Sequence, residues 1–243
     1  MILFNVLCFS KYSAFYKNPD LMKVLDSMPS AMISAFNLKA FNLTTVTGFF
    51  GIMINYFSLI LSIAAVMWGS DIISKEERDK TVEFSLTLPV KRSRLITAKI
   101  AAAMVNCFFL LLVTWMSTLL IAQSYQPDSQ FYEFVSVSMW AILLTQMIFL
   151  ALGIFLGSAV KNYKRAGSLA VSILLGAYFT SVLSGLSENM NFLKFITPFK
   201  YFDPVLMLRE SRLEFGFVLL SFIIIAVALV GAYFSYSKRD LYI

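Results

Sequence analysis

A chain of 243 residues, 59% of them hydrophobic and only 14% charged, with a mean hydropathy of +0.76, has too little polar surface to be a soluble globular domain. Its net charge of +6 is spread over segments that flank apolar runs, not gathered with exposed aromatics, so the charge speaks for membrane orientation and against nucleic acid. Histidine is absent and the two cysteines, Cys8 and Cys107, stand apart in apolar surroundings, so no metal site, disulfide framework or histidine-based catalysis is expected.

Met1 to Phe9 is apolar but short. Nine helical residues rise about 14 Å, less than half of a ~30 Å hydrocarbon core, so residues 1–10 read as the outer end of a first span whose beginning lies upstream. The other reading is a surface helix of a true five-span chain. Residues 11–45 are polar enough to lie outside the hydrocarbon. Within them Leu21, Val24, Leu25 and Met28 share one helical face and Lys23 and Asp26 the other, which predicts an outer amphipathic segment resting on the membrane and broken at Pro29. An external gate or lid is the functional alternative. Residues 46–69 form the first complete predicted span, with Asn55 near its middle and Trp68 where a cytoplasmic interface would fall. An amide at that depth is costly without a partner, so Asn55 is predicted to meet a neighbouring helix or a translocation path.

Residues 71–99, DIISKEERDKTVEFSLTLPVKRSRLITAK, are the one long charged island between two long apolar runs. They hold seven of the twenty basic residues: Lys75, Arg78, Lys80, Lys91, Arg92, Arg94 and Lys99. Short loops so rich in cations stay in the cytosol, which orients the whole chain. A helix is predicted from Ser74 to Leu88, ended by Pro89, which disfavours the α conformation of its predecessor. Phe84, Leu86, Leu88 and Val90 are apolar in a segment that should be in water, so they are covered by a partner or lie back on the membrane or the protein's own spans.

The island resembles the signature that follows the second span in membrane subunits of type-2 ABC exporters. Glu77, Thr81, Glu83, Phe84, Leu86, Leu88, Pro89, Arg92 and Lys99 occupy the matching positions. Tyr201 to Pro204 (YFDP) before the last span, and the aromatic exit that closes on Lys238 and Arg239, fit as well. The resemblance implies that residues 71–99 are a coupling segment docking on a separate ATP-binding subunit, with Phe84, Leu86 and Leu88 as an apolar plug and Glu83 and Arg92 at its rim. It further implies that ATP and magnesium are held by that subunit, that no cofactor is bound here, and that a second permease subunit, identical or related, completes the path. It also implies six spans with both chain ends in the cytosol.

Residues 100–122 make the next predicted span, carrying Asn106, Thr114 and Ser117. After a turn at Pro127, free of basic residues, comes the span 134–160 with Gln146 and with Gly153 and Gly157 four apart. That glycine pair predicts close helix packing, without specifying the partner. Asn106 and Gln146, like Asn55, are candidates for a polar path or for helix contacts. Lys161, Lys164 and Arg165 mark a second cytoplasmic turn before the span 166–186. Residues 187–214 hold Phe192, Phe195, Phe199, Tyr201 and Phe202 and are predicted to stay at the outer interface, and 215–236 is the last span. This topology puts twelve basic residues inside and eight outside, with the inner ones concentrated in short turns.

The predicted architecture is an all-α, polytopic membrane helical bundle in one domain, of five complete spans plus a partial first. No Gly-x-x-x-x-Gly-Lys-Ser/Thr loop is present, so the chain is not expected to be the ATPase, nor an enzyme of another kind. The expected function is that of a permease subunit of an ATP-driven exporter in a plasma membrane, of a bacterial kind. The alternatives are a non-transporting resistance, immunity or sensing partner on the same scaffold, and an ion-driven secondary transporter. The last is disfavoured because no Asp, Glu, Lys or Arg lies at the centre of a span.

Overall fold

The computed structural model describes residues 1–13, 16, 29, 33, 41–79, 91–160, 162–186 and 188–238. The greater part of the predicted outer amphipathic segment therefore lies outside the described residues. Seven α-helices follow in order among them: α1 (Ile2–Tyr12), α2 (Val46–Arg78), α3 (Arg92–Ala122), α4 (Ser129–Ala159), α5 (Tyr163–Ser184), α6 (Pro204–Glu210) and α7 (Phe215–Lys238). Short 3-10 segments occupy Gln123–Tyr125, Glu188–Phe195 and Pro198–Lys200. No strand occurs among the described residues, and α2, α3, α4, α5 and α7 are each long and apolar enough to cross a membrane. The all-α, multi-pass architecture read from hydropathy is the architecture of the protein.

The helices overrun the predicted spans at their charged ends. The first span was predicted to stop at Gly69, with a separate helix from Ser74, but α2 runs unbroken from Val46 to Arg78. Nothing between Gly69 and Arg78 interrupts the i to i−4 hydrogen bonding: no proline intervenes, and a change from apolar to charged side chains alters only what surrounds the helix. Its 33 residues extend about 50 Å, well beyond a ~30 Å core. Likewise α3 begins at Arg92, ahead of the predicted Ile100, and α4 at Ser129, ahead of Phe134.

Contacts divide the chain into two compact units. The first comprises Met1–Leu59, Phe109–Leu143 and Ala177–Phe217. Its centre is aromatic: fully buried Phe50 meets Phe131 and Phe134 edge-on at 5.8 and 5.7 Å between ring centroids. Such pairs add about 0.5–1.5 kcal/mol each beyond the area they bury. Helix α1 lies along α2, with Phe4 edge-on to Phe57 and Phe9 to Phe49, so the two run in opposite directions. Asn5, wholly buried, fastens α1 to α3: its Nδ2 donates to Ser117 Oγ (2.7 Å) and Thr114 O (3.4 Å), and its Oδ1 accepts from Thr118 Oγ1 (3.2 Å).

The same unit ties down the aromatic outer segment. Thr197, fully buried, donates to Ala177 O of α5 at 2.8 Å, and Tyr201 stacks on Phe217 at 5.1 Å while its hydroxyl donates to Phe195 O at 3.0 Å. Burial raises the Tyr201 phenol above its ordinary pKa. Asp203 is the N-cap of α6, accepting from Val205 N–H at 2.8 Å, and Pro204 takes the first helical position, where no N–H is needed.

The second unit comprises Ile60–Phe108, Leu144–Gly176 and Val218–Ile243. Ala65, Ile73, Ile100, Ala103, Leu150, Ile154 and Ala232 form its aliphatic core. Here α2 and α4 come into backbone contact. A Cβ on Gly153 would lie 2.4 Å from Val66 O, one on Gly157 2.8 Å from Ser70 O, and one on Gly69 2.5 Å from Leu150 O. Both partners step four residues together, Val66 with Gly153 and Ser70 with Gly157, so α2 and α4 run side by side in the same direction. Only hydrogen fits at these three positions.

Candidate functional site

Of the residues matched to the coupling signature, Thr81, Glu83, Phe84, Leu86, Leu88 and Pro89 lie outside the described residues. Glu77 falls on the last turn of α2, and Arg92 opens α3 with its side chain exposed. What the structure does place is the neck of the segment. Lys99 of α3 and Glu76 of α2 bring Nζ and Oε1 to 3.1 Å, close in distance although the angles fall short of a hydrogen bond, and both side chains are largely sheltered. A sheltered ammonium needs a counter-ion, and the Glu76 carboxylate supplies it where Lys99 lies beside the buried Ile96 and Ile100. On its other flank α3 meets α7, where the hydroxyls of Thr97 and Tyr233 share a hydrogen bond of 2.7 Å.

A groove opens along α2 on the approach to the neck. Its walls are Ala64, Met67, Trp68, Ser70, Asp71, Ser74 and Arg78 of α2 with Gly167 and Val171 of α5, enclosing about 640 Å³. The spacing explains the shape: 64, 67, 68, 71, 74 and 78 fall on one helical stripe, and 167 and 171 stand one turn apart on the facing helix. One end is apolar, while at the other Arg78 bonds through Nη1 to Asp71 and through Nε to Asp79 at 3.1 Å. These carboxylates, Asp79 first, hold the guanidinium above its ordinary pKa. Ser70 and Ser74 are buried and turn their hydroxyl protons onto Met67 O and Ser70 O of their own helix.

The three intramembrane amides have different surroundings. Asn55 is half-buried on α2 in the first unit, with no side-chain hydrogen bond among the described residues. In the second unit Gln146 is fully buried, donates from Nε2 to Cys107 O at 3.4 Å and leaves Oε1 without a partner, whereas Asn106 is exposed on the outer face of α3. Gly153 and Gly157 are occupied by α2 of their own chain. Sequence reasoning missed Asn5 and the neck. The run Thr114, Ser117, Thr118, all on one face of an apolar helix, is the signal that could have announced a polar partner for Asn5. No group of three or more Cys, Asp or Glu that could hold a metal ion occurs among the described residues.

Long apolar helices with their charges at the ends, and two of them pinned together by an ion pair where a charged segment leaves the bundle, define a multi-pass membrane protein. The profile described as ABC-2 family transporter protein matches residues 7–241, and the chain belongs to that family. No curated protein matches the chain.

Proposed function

We propose that the chain is the permease subunit of an ATP-driven ABC-2 type exporter in a bacterial plasma membrane, with residues 71–99 docked on a separate ATP-binding subunit that holds ATP and magnesium. The observation that carries this reading is the family match across 7–241 together with the charged island set between α2 and α3. In this reading Phe84, Leu86 and Leu88 fill a groove on the ATPase. Three buried apolar side chains at about 1.5–3 kcal/mol each supply several kcal/mol before ordering costs, enough to transmit a displacement. Glu76 and Lys99 hold α2 and α3 together at the base of the island, so a push on it moves both helices. A second permease subunit, identical or related, closes the path, because one subunit of five or six spans does not enclose one alone.

The test is co-purification of the chain with a soluble ATPase from its native membrane. Phe84→Asp or Leu88→Asp is expected to release the ATPase while leaving the chain monodisperse in detergent. Full ATP-dependent association of either variant would refute the docking role.

A further inference from the structure

The groove along α2 has an apolar end, a charged end and an opening between them, which is the pattern of an amphiphile. We propose that it binds a phospholipid whose headgroup is zwitterionic with a primary ammonium, phosphate on Arg78 and ammonium on Asp71, its acyl region lying over Ala64, Met67 and Val171.

The charges fix the headgroup. Arg78 and Asp71 are paired but half-exposed, with side-chain exposures of 41% and 49%. A guanidinium has five N–H donors, and the bonds to Asp71 and Asp79 use two of them. Asp71, which lines the groove, accepts from Arg78 through Oδ1, leaving Oδ2 as a further acceptor. One free donor set and one free acceptor stand side by side, the complement of a phosphate and an ammonium joined by a short linker. The two charged side chains that line the groove, Asp71 and Arg78, sum to zero, so neither a purely anionic nor a purely cationic headgroup finds net attraction from its walls.

The walls fix the remainder. Ser70 and Ser74 direct their hydroxyl protons to backbone carbonyls, so neither hydroxyl is left to donate to a second polar group in the groove. Trp68 stands between the two ends, where an indole with an apolar body and a polar edge belongs at the level of headgroups. The volume of about 640 Å³ accepts a headgroup and the start of its chains, not a whole lipid, so the tails extend into the bilayer through the open side. The inference concerns a bound lipid and stands independently of what the protein transports.

Trp68 makes the site readable. The chain has three tryptophans, and Trp115→Phe with Trp140→Phe leaves Trp68 alone. The full chain would be placed in phosphatidylcholine nanodiscs containing graded amounts of lipid brominated on the acyl chains near the glycerol, either phosphatidylethanolamine or phosphatidylglycerol. Brominated phosphatidylethanolamine is expected to reach half-maximal quenching at a mole fraction about tenfold lower than brominated phosphatidylglycerol, the effect of one charge-assisted hydrogen bond. Asp71→Asn and Arg78→Gln should each erase that preference, while Lys75→Gln, outside the groove, keeps it. Equal quenching by the two lipids in the unsubstituted groove overturns the proposal without reference to any variant. Stronger quenching by phosphatidylglycerol overturns it in favour of an anionic ligand, and a preference that survives both Asp71→Asn and Arg78→Gln overturns the assignment of the headgroup contacts.

Discussion

Replacing Gly153 with alanine would place a methyl carbon 2.4 Å from Val66 O and 3.1 Å from Ser70 N. Carbon and oxygen rest at about 3.3–3.6 Å even when the contact is attractive, so the helices must part by roughly 1 Å. A gap of that size forfeits a quarter to a half of the dispersion energy of each contact along the seam. The obstructing atoms belong to backbone, so no rotamer change relieves the clash, and the cost should lie near the upper end of the ~1–3 kcal/mol typical of overpacking. At about 2–4 °C per kcal/mol for a chain of this size, Tm falls by about 6–12 °C. The assay is the temperature at which the detergent-purified chain loses its monodisperse peak on size exclusion. Gly176→Ala is the control, since a Cβ there would meet no atom within 4 Å, and it should melt no lower than the wild type. Gly69→Ala obstructs the same seam at 2.5 Å from Leu150 O, so the double variant should lose less than the sum of the two. A Gly153→Ala chain that melts no lower than wild type would refute the backbone-contact account.

Two further outcomes test other parts of the molecule. Asn5→Ala removes the three hydrogen bonds that fasten α1 to α3 and should cost about 1–2 kcal/mol, limited because Ser117 and Thr118 still donate to Thr114 O; faster maleimide labelling of Cys8 on α1, in a Cys107→Ala background, is the readout, and unchanged labelling refutes it. Exposed Ser93 and Ser129 stand just inside the start of α3 and α4, so cysteines there should react with membrane-impermeant reagents from opposite sides of the bilayer; labelling of both in intact cells overturns the orientation drawn from the basic residues.

Hydropathy found the membrane-crossing helices because the hydrocarbon demands about 20 apolar residues wherever it is crossed, and no other signal in a sequence is so strong. It did not find where the helices end, because Asp71 to Arg78 differ from Ala64 to Gly69 in their affinity for water and hardly at all in their ability to hold a helix. The Tyr201 to Pro204 string was legible as a resemblance before it was legible as physics: Asp203 is a cap and Pro204 a first-turn residue. Asn5 escaped notice since its partners are more than a hundred positions away, and a lone amide in a short apolar stretch carries no hint of what it faces. The groove was equally hidden. Asp71, Arg78, Gly167 and Val171 have no sequence pattern in common, and only the close passage of α5 along α2 makes them one surface.

The Glu76 and Lys99 contact is a clasp between the end of α2 and the start of α3, at the two feet of the island. Beyond the turns of α2 and α3 that pack on other helices, the geometry of entry and exit is set by two side chains that belong to the helices themselves, so residues 80–90 can change without consulting the spans. The stretch from residue 80 to 90 is thus an exchangeable cassette: a lineage can re-tailor its fit to a changing partner, and an engineer can splice in the corresponding stretch of a relative, while α2 and α3 keep their register.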